Sequence, residues 1–179
     1  MDIQKNINEF IRGNGNSQGI KPIERYASFD YCFNYFQSFR EQKGLIELDS
    51  SENIQISCLQ LGFYLASWGM LRGSSFLLGK SVKVFKPLIN KVANANPVLW
   101  DIDANSYTPN NVQIILGFAD TIRQSLDYNA GPSDVLITKI MLGIFGNVPA
   151  FDTNFMYGFG VSTFGKKALE KIARFYVSN

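Results

Sequence analysis

The sequence predicts an all-α protein, a single-domain orthogonal helical bundle built around a central buried helix at about residues 54–71. Apolar side chains recur at three- and four-residue intervals in several segments, and no segment alternates polar and apolar residues as a half-buried strand does. Clusters of Gly, Pro, Asn and Ser separate these segments. The segment from Ile54 to Leu71 carries no charge, which is typical of a helix surrounded by other helices.

The central helix is expected to begin after Ser50 or Ser51, whose hydroxyls can accept hydrogen bonds from the free N–H groups of a first turn. Apolar residues lie on nearly all of its sides. Small residues recur along one line of the helix, so we expect a neighbouring helix to approach closely there. These residues are Cys58, Gly62, Ala66 and Gly69.

The first 21 residues predict an amphipathic helix, from Asp2 to Arg12, followed by a flexible connector rich in Gly and Asn. Pro22 is suited to the first turn of a second helix, which we expect to run to about Lys43. That helix is strongly aromatic. Gly44 is expected to end it, because glycine readily adopts the positive φ of a helix end.

Three helices and a short helical element are predicted after residue 108. Thr108 and Pro109 are typical of a helix start, and Ser133 begins the next helix. The full set of segments after the central helix is a helix at 74–95 that Pro87 kinks or divides, a loop at 94–107, a helix from 108 to about Asp127, a helix from 132 to 145, a short element around 151–156, and a last helix capped by Thr163.

Composition excludes several classes of function. The 179 residues suit one domain, 1–179, and the absence of histidine excludes His-dependent nucleophiles and His metal sites. We therefore predict no metal and no cofactor. Cys32 and Cys58 lie in apolar patterns and are expected to be buried, reduced thiols. A net charge of +2, a short apolar run and a polar N-terminus favour a cytoplasmic protein without a membrane partner.

The segment after the central helix is a candidate anion site. Arg72 carries a permanent charge with bidentate donors, and Ser74 or Ser75 can cap a following helix whose positive end favours anions. The alternative is that Arg72 pairs with Asp30 or Asp152 and closes a helix junction.

Asp152 is the candidate catalytic acid or base. It lies between Phe151 and Phe155, and we expect it to be partly desolvated there. The alternative is that Asp152 caps a short helix. A carboxylate mechanism would use Arg72, Lys139 or a tyrosine as helper. The residues of the candidate pocket are Arg25, Tyr26, Asp30, Trp68 and Lys139.

Two resemblances bear on these residues. The stretches 26–36, 58–75 and 138–164 resemble an uncharacterised bacterial protein family with no established activity. The stretch from Lys139 to Thr153 is similar to the end of the helix-hairpin-helix motif of base-excision DNA glycosylases, where an apolar helix and a proline-containing turn lead to a catalytic Asp. This resemblance implies that Asp152 is that acid. The segment 130–134 departs from the motif, since it lacks the paired glycines that hold DNA phosphate and the lysine of the lyase branch.

These observations leave three hypotheses for function. The first is a bacterial, cytoplasmic helical binding or interaction domain, acting through self-association or a protein partner, because Phe and Tyr are abundant. The second is a DNA- or nucleotide-acting enzyme of the helix-hairpin-helix glycosylase type, with Asp152 as acid or base and Arg72 as anion holder. The third is a small-ligand pocket lined by aromatic residues between helices.

Overall fold

The computed structural model of the protein describes residues 2–16, 18–126 and 131–179. Within these residues the chain forms eight α-helices and no strand, so the predicted all-α fold is confirmed. In chain order the helices are α1 (Ile3–Arg12), α2 (Ser28–Ser38), α3 (Ile54–Ser67), α4 (Lys86–Ala93), α5 (Pro109–Ser125), α6 (Asp134–Phe145), α7 (Thr153–Phe159) and α8 (Lys166–Ser178).

The helix α3 takes the central position that the sequence predicts, but it is not surrounded on all sides. It packs against α2, α4 and α6, and its core face includes Leu61, Tyr64 and Leu65, all fully buried. The opposite face, with Phe63 at its middle, is exposed. At Gly62 the close neighbours are Val82 and Phe85, which belong to a short 3₁₀ turn rather than to a long helix.

The central helix ends at Ser67, four residues before its predicted end. Gly69 has a φ of 79°, and its N–H donates to the carbonyl of Ala66, while the N–H of Met70 donates to the carbonyl of Leu65. These two bonds form a Schellman motif, which satisfies the last carbonyls of the helix and turns the chain. The turn brings Arg72 back towards the end of α3 instead of continuing the helix.

The predicted helix at 74–95 is wrong over its first half. The structure has 3₁₀ turns at Phe76–Gly79 and Val82–Phe85, and a regular helix forms only at α4. Pro87 lies in the first turn of α4 and does not kink a helix interior. The physical reason is that the first N–H groups of a helix have no intrahelical partner, so proline begins a helix there without losing a hydrogen bond.

Two helix starts agree with the sequence and two differ. Thr108 and Ser133 cap α5 and α6 through their side-chain oxygens, as predicted. The second helical segment begins at Arg25 and not at Pro22. Gly165, not Thr163, is the N-cap of α8, because the N–H of Phe164 already donates to Asp134 Oδ2. The helix α5 ends at Ser125, and Asp127, its predicted end, lies outside the described residues.

Aromatic rings fill much of the interior. Trp100, in the segment predicted as a loop, packs against Phe145, which also meets Phe118. Cys32 and Cys58 are both buried and free, and burial raises the pKa of each thiol. No helix in the described part of the chain is long and apolar enough to cross a bilayer.

Candidate functional site

A cleft of about 510 Å³ opens where the chain leaves α3 and passes the start of α6. Its walls come from two segments that are distant in sequence, the turn after α3 and the first turn of α6. The lining residues are Gly69, Met70, Arg72, Gly73, Ser74, Ser75, Phe76, Gly131, Ser133 and Leu136. The volume lies within the ordinary range for a small-molecule site, about 300–1,000 Å³.

Arg72 is the charged residue in the wall of this cleft. It is exposed and forms no ion pair with any described residue, so the predicted pairing with Asp30 or Asp152 is not found. Its guanidinium packs over Gly69, where an added Cβ would lie 3.1 Å from Nε. Gly69 therefore has two roles, because it supplies the positive φ that ends α3 and leaves room for the guanidinium.

The serines of the cleft differ in how far they are already engaged. Ser74 is exposed and lines the cleft. Ser75 Oγ donates to the carbonyl of Met70 at 2.6 Å and accepts from the N–H of Leu77 at 3.3 Å. Ser133 Oγ accepts from the N–H of Leu136 as the cap of α6. Of the two predicted anion-binding serines, Ser74 is therefore the better placed to donate to a ligand.

Lys139 is a buried amine one turn along α6 from the cleft residue Leu136. Its side chain is 7% exposed, and Nζ donates to the main-chain oxygen of Trp68 at 2.8 Å. Burial lowers its pKa, the carboxylate of Asp152 opposes that shift, and the charges of Arg72 and Arg25 lower the pKa further. Arg72 packs over Gly69, Lys139 donates to the main-chain oxygen of Trp68, and Arg25 acts on Lys139 through its charge, so these three side chains form a cationic cluster near the end of α3.

Arg25 reaches this region together with two aromatic rings. Its guanidinium lies 4.6 Å from the ring centroid of Tyr26, and Nη2 donates to the Tyr26 hydroxyl at 2.5 Å. Tyr26 in turn meets Trp68 edge to face, with centroids 5.9 Å apart. Trp68 is partly buried and has Lys139 Nζ 5.8 Å from its ring centroid. Both rings therefore adjoin cationic side chains.

The two acidic candidates, Asp152 and Asp30, differ in burial and in their electrostatic effect on Lys139. Asp152 is partly buried at the start of α7, and Oδ1 accepts from the N–H of Phe155 at 3.0 Å as a helix cap. It acts on Lys139 through its charge, but it does not line the cleft. Asp30 is exposed on α2, neither lines the cleft nor contributes to the field at Lys139, and so does not join the cluster.

Two buried polar atoms near Lys139, Trp68 Nε1 and Tyr64 Oη, have no hydrogen-bond partner within the part of the chain that the structure describes. The two rings are neighbours, with centroids 5.2 Å apart. Buried polar atoms are nearly always bonded, so an unpartnered donor deserves an explanation. Trp100 Nε1 and Asn147 Oδ1, which do not line the Arg72 cleft, are likewise unpartnered among the described residues, so this feature is not specific to the cleft.

The sequence missed the contribution of α6 to the cleft. Gly131, Ser133 and Leu136 are separated from Arg72 by about 60 positions, and no local pattern connects them. Ser133 was recognised only as a helix cap. The signal in the sequence was Lys139, a lone lysine within the apolar run of α6, because burying a charged side chain costs free energy and is rare without a partner or a function.

No group of three or more acidic, Cys or His side chains in the ranges 2–16, 18–126 and 131–179 is arranged to hold a metal ion. Comparison of the chain with protein-family models, with curated proteins and with solved structures finds no match. The function therefore has to be argued from the site itself.

Proposed function

We propose that the protein is a helical binding domain for a ligand that carries a phosphate and an aromatic base, that is, a nucleotide unit. The observation that carries this proposal is Arg72, an exposed guanidinium that pairs with no acidic side chain among the described residues and that lines a cleft of about 510 Å³. Arginine donates two parallel hydrogen bonds to a phosphate and is always charged. Ser74, in the same wall, supplies a further donor.

The charges around the cleft support an anionic ligand. Arg25 and Arg72 both act on Lys139, whereas Asp152 is the one carboxylate that acts on it among the described residues. An arriving anion would relieve the mutual repulsion of these cations. It would also raise the pKa of Lys139, since an opposite charge nearby favours the ammonium form.

The aromatic rings favour a base in addition to the phosphate. Tyr26 is 45% exposed and Trp68 is partly exposed, so both leave ring surface at the edge of the cluster. Stacking of a base on such rings contributes about 1–3 kcal/mol for each base and works with any base. A free nucleotide and a single strand of nucleic acid both carry a phosphate and an aromatic base, so the proposed contacts are common to the two.

An enzyme that acts on DNA through Asp152 is the second candidate, favoured by the electrostatic contact between Asp152 and Lys139. It has less support than binding, because Asp152 Oδ1 is engaged as a helix cap and the carboxylate lies outside the cleft lining. A duplex oligonucleotide with one damaged base tests it: release of the free base by the protein, lost in Asp152→Asn, would favour the enzyme, and no release would exclude it.

We also propose that the protein is bacterial and cytoplasmic. The free, buried thiols of Cys32 and Cys58 support a reducing compartment, since disulfides are rare there. The resemblance to a bacterial family supports the origin.

Fluorescence anisotropy of a labelled single-stranded oligonucleotide of about ten bases, a length that spans one typical binding site, tests the binding proposal. With the two exposed cations, Arg25 and Arg72, each neutralising one phosphate, the logarithm of the affinity should fall with the logarithm of salt with a slope of about −1.4. Arg72→Ala should weaken binding and reduce the slope by about 0.7. The matched control is Arg174→Ala, since Arg174 is exposed on α8 and does not line this cleft.

Competition with adenosine monophosphate separates the two sources of the ligand. Displacement of the strand by the mononucleotide indicates a free nucleotide, and its failure to compete indicates a nucleic acid strand. The proposal is contradicted if neither probe binds, or if Arg72→Ala and Arg174→Ala change the affinity equally.

A further inference from the structure

The helix α1 presents an apolar face that no described residue of its own chain covers. Ile7, Phe10 and Ile11 lie on one side of the helix and are between 45% and 65% exposed, and no residue of α1 is buried. A ten-residue helix is marginal in water without packing, because nucleation costs more than so few hydrogen bonds return. The helix therefore depends on a partner surface for its stability.

A second uncovered apolar face lies on α3. Ile56, Leu59 and Phe63 follow each other at steps of three and four, so they share one side of the helix, and they are between 46% and 70% exposed. The helix carries no charged residue from Ile54 to Ser67. At 1.5 Å per residue the α3 face is about 10 Å long from Ile56 to Phe63, and the α1 face is about 6 Å long from Ile7 to Ile11.

We propose that α1 of one copy packs on the α3 face (Ile56, Leu59 and Phe63) of a second copy, and that the contact is reciprocal, which gives a two-fold symmetric dimer. Within one chain α1 is held by the segment that follows it, where the N–H of Ile20 donates to the carbonyl of Ile11, and both faces stay open. When each copy packs its α1 on the α3 face of the other copy, both α1 faces and both α3 faces are covered, as two-fold symmetry requires.

The area available agrees with a dimer of modest affinity. A large apolar side chain has about 150–200 Å² of accessible surface when fully exposed, and each face has three such side chains that are about half exposed. Each face therefore offers roughly 300 Å² of apolar surface. Two symmetric pairings then bury about 1,200 Å² in total, the lower limit for stable interfaces. We expect a dissociation constant on the order of 1–100 μM. The contact uses no residue of the Arg72 cleft, so it is independent of the proposed ligand.

Sedimentation equilibrium over a range of protein concentrations measures the association. Phe10→Ser and Phe63→Ser should each raise the dimer dissociation constant at least about tenfold, since each removes the largest side chain of one face. Tyr157→Ser is the matched control, because Tyr157 is 91% exposed on α7 and belongs to neither face. Circular dichroism of every variant shows whether the fold is retained.

Mixing the two variants gives the decisive outcome. In a heterodimer of Phe10→Ser and Phe63→Ser, the intact α1 of the second chain meets the intact α3 of the first, so the mixture should associate more tightly than either variant alone. The proposal is overturned if the wild-type chain stays monomeric, if mixing restores nothing, or if the monomer binds vesicles of phosphatidylcholine and phosphatidylserine through α1.

Discussion

Replacing Gly143 with alanine should destabilise the protein, because the Tyr64 ring of α3 packs directly on Gly143 of α6 and leaves no room for a Cβ. A Cβ on Gly143 would lie 2.8 Å from Tyr64 Cδ1 and closer still to Cε1. Tyr64 is fully buried, and its ring touches Phe29 and Trp68 on its other sides. The ring cannot move aside without displacing these neighbours.

The expected magnitude follows from two opposing effects. Alanine in a helix interior is favoured over glycine by about 1 kcal/mol. Overpacking a well-filled core costs about 1–3 kcal/mol, and the rigid ring at Gly143 places this site at the upper end. The net loss should be about 2 kcal/mol, which lowers the melting temperature by about 4–8 °C for a chain of this length.

Gly117 provides the matched control, because it is an exposed glycine inside α5 with no atom within 4 Å of an added Cβ. Gly117→Ala should therefore stabilise the protein by about 0.5–1 kcal/mol. Urea unfolding followed by circular dichroism measures both variants. Equal effects of the two substitutions would refute the close approach of α3 and α6.

Three further predictions concern buried and capping groups. Burial raises the pKa of Cys32, Tyr64 and Tyr107, so these groups ionise at lower pH in the unfolded chain than in the folded protein. The free energy of unfolding should therefore fall by about 5 kcal/mol between about pH 9 and pH 11. A urea midpoint that stays constant over this range would contradict the raised pKa values. Lys139→Met should stabilise the protein by up to about 1 kcal/mol at neutral pH, because burial disfavours the ammonium form. That gain should shrink as the pH rises towards 10.5, where the lysine of the unfolded chain also loses its proton; a gain independent of pH would contradict the lowered pKa. Asp152→Ala should cost about 1 kcal/mol in urea unfolding through the lost cap, whereas Asp152→Asn should cost little, and equal losses would contradict the capping role.

Local signals in the sequence were sufficient for several helix boundaries. Thr108 followed by Pro109, and Ser133 ahead of an apolar run, specify helix starts through hydrogen bonds made within three residues. The same local reasoning left a kink or a division of the helix open at Pro87, because proline bends a helix interior but is well accommodated in a first turn. Which of the two applies at Pro87 depends on the segment before it, where the structure forms short 3₁₀ turns.

The candidate site likewise has one part that the sequence predicts and another that depends on long-range packing. Arg72 stood out because it follows an apolar helix directly, and the structure places it in a cleft wall. The other wall, at Ser133 and Leu136, comes from long-range packing of α6 near the end of α3, which no spacing reveals. Likewise, an exposed apolar face on α3 was not expected, because a uniformly apolar helix gives no sign of which side lacks a neighbour.

The most direct test of the ligand proposal is a two-dimensional NMR titration of the two tryptophan indole N–H groups with adenosine monophosphate. Trp68 adjoins the cationic cluster, whereas Trp100 is 5% exposed and packs against Phe145. The proposal predicts a saturable shift of the Trp68 signal, no shift of the Trp100 signal, and loss of the effect in Arg72→Ala. A Trp68 signal that moves with neither adenosine monophosphate nor the single-stranded oligonucleotide, or that moves equally in Arg72→Ala, would contradict it.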